Sequence, residues 1–145
     1  MRAVVQRVSK ASVRVDGETV GEVGTGFLTL VGVHRDDSSK DAVYVADKIA
    51  NLRVFPDVDG KMNRSVLDVG GGVLVVSQFT LYADTQRGRR PSFVDAAGPE
   101  VAEPLVEAVA ARLDELGVPT SRGSFGAHME VELTNDGPVT ILVQT

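Results

Sequence analysis

The chain has 145 residues, enough for one domain with a sizeable core. Apolar residues make up 43% and charged residues 24%, an ordinary globular composition, and no run of 18 apolar residues is present to span a bilayer. With no cysteine there is no disulfide framework, zinc–thiolate site or cysteine nucleophile, and a net charge of −5 leaves any nucleic acid to be held locally rather than on a broad basic face. The opening residues, MRAVVQRVSKASV, break every apolar stretch with arginine, glutamine or lysine, so no export signal is read there and a reducing cytoplasm suits the composition.

Residues 2–8 and 12–15 are rich in valine and predict two short strands, with Asp16-Gly17 as a turn. Residues 19–23 and 27–33 continue the strand pattern across Gly24 and Gly26. From Asp36 the period changes: Ala42, Val43, Ala46, Ile49 and Ala50 share one helical face, and residues 36 to 39 offer N-caps. Residues 52–55 read as extended, ended by Pro56 and the Asp59-Gly60 turn. Three glycines, 70–72, precede the most apolar run of the chain, which predicts a buried central strand from about Val73 to Phe79. Residues 84–98 read as a loop with a basic middle.

A second helix is predicted from Ala102, Leu105, Val106, Val109, Leu113 and Leu116, with Gly117 at C′; Pro104 predicts a late start or a bent first turn. The C-terminus predicts a hairpin, in which Met129, Val131 and Leu133 alternate, residues 135–138 turn, and Val139, Ile141 and Val143 alternate back. Strands that follow one another without a helix imply antiparallel pairing, so the class is α+β with a curled sheet. Neither repeat nor linker is found, and residues 1–145 form a single domain on this reading.

Conventional hydrolase machinery is thin. His34 and His128 are the only histidines, and each reads first as a surface or locally satisfied side chain. No G-x-S-x-G elbow or H-E-x-x-H pair occurs, and Gly70-Gly71-Gly72 leads into a strand rather than the helix N-terminus that phosphate loops use. Three segments stand out. Ser77-Gln78-Phe79-Thr80-Leu81 ends the apolar strand on polar residues, where free backbone N–H groups can face an oxyanion; the plain alternative is a strand end that satisfies itself. Arg87, Arg89 and Arg90 are either a local phosphate grip or a solvated loop. Asn135-Asp136-Gly137-Pro138 needs nothing beyond turn chemistry, except that proline after glycine, leading into a strand, raises the chance of a cis bond.

SQFTL at 77–81 and NDGPVT at 135–140 resemble the two signature motifs of the D-aminoacyl-tRNA deacylases, and the likeness runs from MRAVVQRVSKASVRVDGE through GKMN (60–63) and RPSF (90–93) to the last strand. The resemblance implies a cofactor-free hydrolase of D-aminoacyl-tRNA, and of mischarged glycyl-tRNA, that rejects L-aminoacyl-tRNA. It implies a homodimer with a mainly antiparallel, barrel-like sheet and active sites at the subunit interface. Ser77, Gln78, Phe79, Thr80 and Leu81 would line each site. A cis Gly137-Pro138 pair would reach into the neighbouring subunit's site, braced by Arg7. Phe125, Ala127 and Met129 would receive the 3′-terminal adenosine. Hydrolysis would use a positioned water and the Phe79 or Thr80 N–H, with Thr80 positioning rather than attacking.

Overall fold

The computed structural model describes residues 1–145. Its organising element is β1 (Arg2–Val15), a single 14-residue strand rather than the two short ones that the sequence predicts. On one side β1 pairs antiparallel first with β3 (Gly26–Gly32) and then, beyond Ser9, with β2 (Glu18–Val23). The β1–β2 turn is Asp16-Gly17, both with positive φ, which matches the tight hairpin read from the sequence. On its other side β1 pairs along its whole length with β8 (Glu130–Gln144).

The predicted C-terminal hairpin is therefore corrected. Residues 130–135 and 140–144 do not fold back on each other; both lie antiparallel on β1. The register passes from Gln6↔Thr140 to Val8↔Asn135, so residues 136–139 bulge out opposite Arg7.

The rest of the sheet is parallel. β6 (Gly72–Ser77) pairs with β3, and β7 (Thr120–Arg122), not foreseen from the sequence, pairs with β6. The central strand ends at Ser77, two residues early, because residues 79–82 turn into a 3-10 helix. The extended segment at 52–55 shrinks to β4 (Phe55–Pro56), paired with β5 (Met62–Arg64) around the Asp59-Gly60 turn. The six-stranded sheet is thus mixed, with most of its pairing antiparallel on β1.

The sheet curls until its ends nearly meet: a Cβ placed on Gly21 of β2 would collide with the Arg122 carbonyl of β7. The curl encloses a small core of Val8, Ala11, Val13, Leu28, Leu74 and Val76. The larger core lies on the opposite face, under two helices. α1 (Ser39–Asn51) starts after Ser38, whose N–H donates to the Asp41 carboxylate at 2.8 Å; that backbone hydrogen bond is the main reason Asp41 titrates below the usual carboxylate range. α1 buries Ala42, Val45, Ala46, Ile49 and Ala50; Val43, placed on the buried face by the sequence, is exposed, and Val45 takes the inward position.

α2 (Pro99–Glu115) begins at Pro99, so the late start offered by the sequence is not seen, and the helix runs on through Pro104. Pro99 occupies N1, where its missing N–H costs nothing, and Pro104 is exposed, so the carbonyl it leaves without a partner faces water. Gly117 closes α2 at C′ with φ of 88°, as predicted.

One polar atom in the core is unsatisfied. Thr29 alternates in phase with Phe27 and Val31, faces the larger core with no exposure, and its Oγ1 has no hydrogen-bond partner. Thr29→Val removes a buried orphan hydroxyl at constant shape and is expected to stabilise the fold by about 1 kcal/mol in urea unfolding. A measured loss of that size would show that the hydroxyl has a partner.

Candidate active site

The site is built where β6 stops. Ser77 is the last paired residue of that strand, opposite Val31, and the Gln78 N–H still donates to the Val31 carbonyl at 2.8 Å. The chain then winds into the 3-10 helix Phe79–Tyr82 against β3. Gly32 permits this contact, since a Cβ there would lie 3.0 Å from both the Gln78 carbonyl and the Leu81 Cβ. The first N–H groups of such a helix have no acceptor within it. Those of Phe79 and Thr80 are therefore the backbone donors at this rim, and both residues are exposed.

Tyr82, at the end of the turn, is buried under the Arg2 guanidinium, which sits 4.6 Å from its ring centroid, while Arg2 Nη1 donates to the Leu81 carbonyl at 2.9 Å. Burial, with Asp37 nearby, pushes the Tyr82 hydroxyl up to about 12, so it stays neutral. Gln78 Nε2 donates to Thr80 Oγ1 across the turn. That contact orients the Thr80 hydroxyl and supplies no base to activate it.

An apolar cavity of about 340 Å3 opens beside this turn, with Ser77, Phe79 and Phe125 on its walls beside Val33, Ala102 and Val106. Three of the sequence-predicted residues thus come together from β6, the 3-10 turn and the 123–129 segment. Gln78 and Thr80 stand on the same turn at its rim. Leu81 faces elsewhere, into a shallow groove with Arg2, Val4 and Leu142. Ala127 closes a backbone turn onto the Ser124 carbonyl at 3.2 Å. Met129 packs against the small core, and its Sδ accepts the Ser124 N–H at 3.3 Å, so it shapes the segment from beneath.

The second constellation is the bulge of β8. The Gly137-Pro138 peptide is cis, and Gly137 has φ of 144°. Arg7, opposite the bulge with its side chain only 11% exposed, donates Nε to the Asp136 carbonyl at 2.9 Å and Nη1 to the Val54 carbonyl. Asn135, which the sequence offers only as a turn former, donates Nδ2 to the Arg7 carbonyl at 2.9 Å and to the Val139 carbonyl at 3.0 Å, spanning the base of the bulge. Gly137 and Pro138 themselves are exposed. The corner is held rigidly from behind and presented outward. None of its residues lines the apolar cavity of the same chain.

The loop at 84–98 is ordered by its stem. Asp84 and Ser92 exchange backbone hydrogen bonds of 2.8 and 2.9 Å, and Phe93 packs edge-on against Phe79 with ring centroids 5.1 Å apart. Arg87, Arg89 and Arg90 are exposed at its tip and make no ion pair within the chain. His34 accepts the Asp36 N–H at Nδ1 and packs on Tyr82, while His128 is exposed outside the cavity, so the plain reading fits both. No group of three histidine or carboxylate side chains is placed to hold a metal, and no helix is long and apolar enough to cross a membrane.

The family model described as D-Tyr-tRNA(Tyr) deacylase matches residues 4–144. A protein of Roseiflexus castenholzii named D-aminoacyl-tRNA deacylase is 61% identical over all of this chain and 92% of its own length. One of the same name from Thermus aquaticus is 58% identical over all of this chain and 95% of its own. Among solved structures, one described as "c-Myc DNA Unwinding Element Binding Protein" superposes with a TM-score of 0.94 at 41% identity, covering 100% of this chain and 99% of that one. A second, described as a "probable eukaryotic D-amino acid tRNA deacylase", has a TM-score of 0.81 at 16% identity over 98% and 97% of the two chains, and speaks for the fold. By the span of the family match and the identity of these relatives, the chain belongs to the D-Tyr-tRNA(Tyr) deacylase family.

Proposed function

We propose that the chain hydrolyses the ester that joins a D-amino acid, or a mischarged glycine, to tRNA, and spares L-aminoacyl-tRNA. Residues 1–145 act as one catalytic domain of a cytoplasmic homodimer that needs no cofactor. The observation that carries the chiral part is the Gly137-Pro138 corner, fixed by Arg7 and Asn135 and exposed, yet no part of the cavity lining of its own chain. On this reading the corner reaches the partner's cavity across a two-fold interface, whose symmetry makes the contact in both sites. In each site the 3′-terminal adenosine enters the apolar cavity between Phe79 and Phe125, with the turn at Ala127 and Met129 supporting that wall.

The reaction follows from this placement. Water adds to the ester carbonyl, and the oxyanion that forms is met by the Phe79 and Thr80 N–H groups. The carbonyl carbon then releases the ribose oxygen, which takes up the proton that the attacking water loses, leaving free amino acid and tRNA. The adjacent ribose hydroxyl orients the water, Gln78 holds the Thr80 hydroxyl at the rim, and Ser77 lines the floor. An aminoacyl ester is already activated, so positioning and backbone dipoles suffice. The Gly137 and Pro138 carbonyls accept the substrate ammonium and occupy the space that an L side chain needs. Glycine has no side chain to exclude, so purified protein is expected to deacylate both D-Tyr-tRNA and Gly-tRNA. Intact D-Tyr-tRNA after incubation would end the reading.

The arginine loop supplies the grip on RNA that net charge does not. Arg89→Ala with Arg90→Ala is expected to weaken tRNA binding most at low salt, each lost phosphate contact flattening the dependence of log Kd on log salt by about 0.7 to 0.9. Binding by the double variant with the wild-type affinity and salt slope would remove the loop from the interface.

A further inference from the structure

The apolar cavity is not the only space onto which Ser77 opens. A second cavity, of about 440 Å3, lies on the other side of a wall made by Val106 and Phe125, and Ser77 lines both. Its chemistry differs. Glu103, Glu107 and Arg122 stand on its walls. Arg122 is already committed: Nε and Nη2 donate to Glu107 at 2.8 to 3.0 Å, Nη2 to Asp114 at 2.9 Å, and Nη1 to the Thr120 carbonyl at 3.3 Å. On the walls one guanidinium is paired with Glu107 and further neutralised by Asp114 behind it, and Glu103 adds a carboxylate with no ion pair in the chain, so the recess is negative.

A negative recess repels phosphate, so the part of an RNA end that fits it is a neutral, flat group that donates hydrogen bonds. Single-stranded bases are held by stacking on aromatic rings and by hydrogen bonds to their edges, and a carboxylate accepts from the exocyclic amine of cytosine. The volume lies in the usual range for a small-molecule site, about 300–1,000 Å3. On the deacylase reading, which this inference depends on, the terminal adenosine fills the apolar cavity, and a cytidine precedes it in every tRNA acceptor end. Two neighbouring bases then meet two cavities that share the Phe125 wall. We infer that the Glu103 cavity takes the base of the penultimate cytidine, with Glu103 accepting from its amine and Phe125 standing between the two bases.

The test uses D-Tyr-tRNA carrying cytidine or uridine at the penultimate position, and adenosine or purine riboside at the last. The wild-type protein is expected to favour cytidine over uridine about tenfold in kcat/KM, through KM, which is the low end of what such a contact discriminates. Glu103 lies on the exposed side of α2, where alanine is a good helix former. Glu103→Ala should bring the cytidine-to-uridine ratio to about one and keep the wild-type ratio at the terminal base. Equal wild-type rates on cytidine and uridine, or a preference that survives in the variant, would overturn the inference while leaving the deacylase reading in place. Loss of the terminal-base preference instead would put the adenine in the acidic cavity and overturn it as well. A wild-type protein inactive on every D substrate would fail the deacylase reading itself and the inference with it.

Discussion

Gly137→Ala is expected to lower kcat/KM for D-Tyr-tRNA by about a hundredfold or more while the sheet stays folded. The backbone at Gly137 has φ of 144°, a region that L side chains rarely adopt, and a Cβ there would stand 2.7 Å from Val139 Cγ2 and 2.8 Å from Val139 N. Val139 is buried at the edge of the larger core and cannot yield freely, so the corner itself must move. A displacement of about 1 Å in a group that positions substrate costs on the order of a hundredfold in rate. Steady-state rates on several D-aminoacyl-tRNAs, beside a thermal melt, check this; wild-type rates on all of them would take the corner out of the site. The same variant asks whose site the corner serves. Mixed with a cavity variant such as Phe125→Ala, it should recover about a quarter of wild-type activity, because half of the dimers are mixed and one of their two sites is intact. A corner that worked within its own chain would give no recovery.

Arg7→Ala is expected to have the second largest effect, on stability and chirality together. Its guanidinium ties the Asp136 carbonyl to the Val54 carbonyl from a nearly buried position, with Asp136 Oδ2 at 3.6 Å. Removing a charged donor from such carbonyls costs about 2 kcal/mol in urea unfolding. It also frees the corner to drift, so the ratio of D-Tyr-tRNA to L-Tyr-tRNA turnover should fall about tenfold. Arg7→Lys should recover little, since one ammonium cannot serve two carbonyls that a planar fork reaches together. A variant that keeps the wild-type chiral ratio would show that Asn135 alone holds the bulge.

Local signals in this sequence are legible and long-range ones are not. The Asp16-Gly17 turn, both helices and the Gly117 stop follow from residues within a few positions of each other, and the sequence shows them. The last strand reads as a hairpin because alternation on both sides of Asn-Asp-Gly looks the same whether the halves fold on each other or continue along a third strand. The length of β1, 14 residues, decides for the latter, and no local signal encodes that. Val43 and Val45 were exchanged for a similar reason: apolar residues two apart leave the phase of α1 open, and packing settles it. β7 is too short to show a period and exists because β6 offers it a partner.

Leu81 faces another groove, but Ser77 to Thr80, Gly137 and Pro138 are legible as candidates through the paired motifs, and the cis bond is present. The cavity wall from α2 was not, since Ala102 and Val106 read as ordinary core positions until the fold places them beside Ser77. In the sequence Asn135 reads as turn chemistry. Its amide gives both donors to backbone carbonyls at the base of the bulge, a use that residue type alone does not distinguish from a turn.

The central claim is that a main-chain corner, without metal or ionisable base, selects the D ester for hydrolysis. The most direct test is deacylation of matched D-Tyr-tRNA and L-Tyr-tRNA by the purified protein in the presence of a chelator. Rapid loss of the D ester with the L ester spared is the predicted result. Loss of both at similar rates, or of neither, would contradict it.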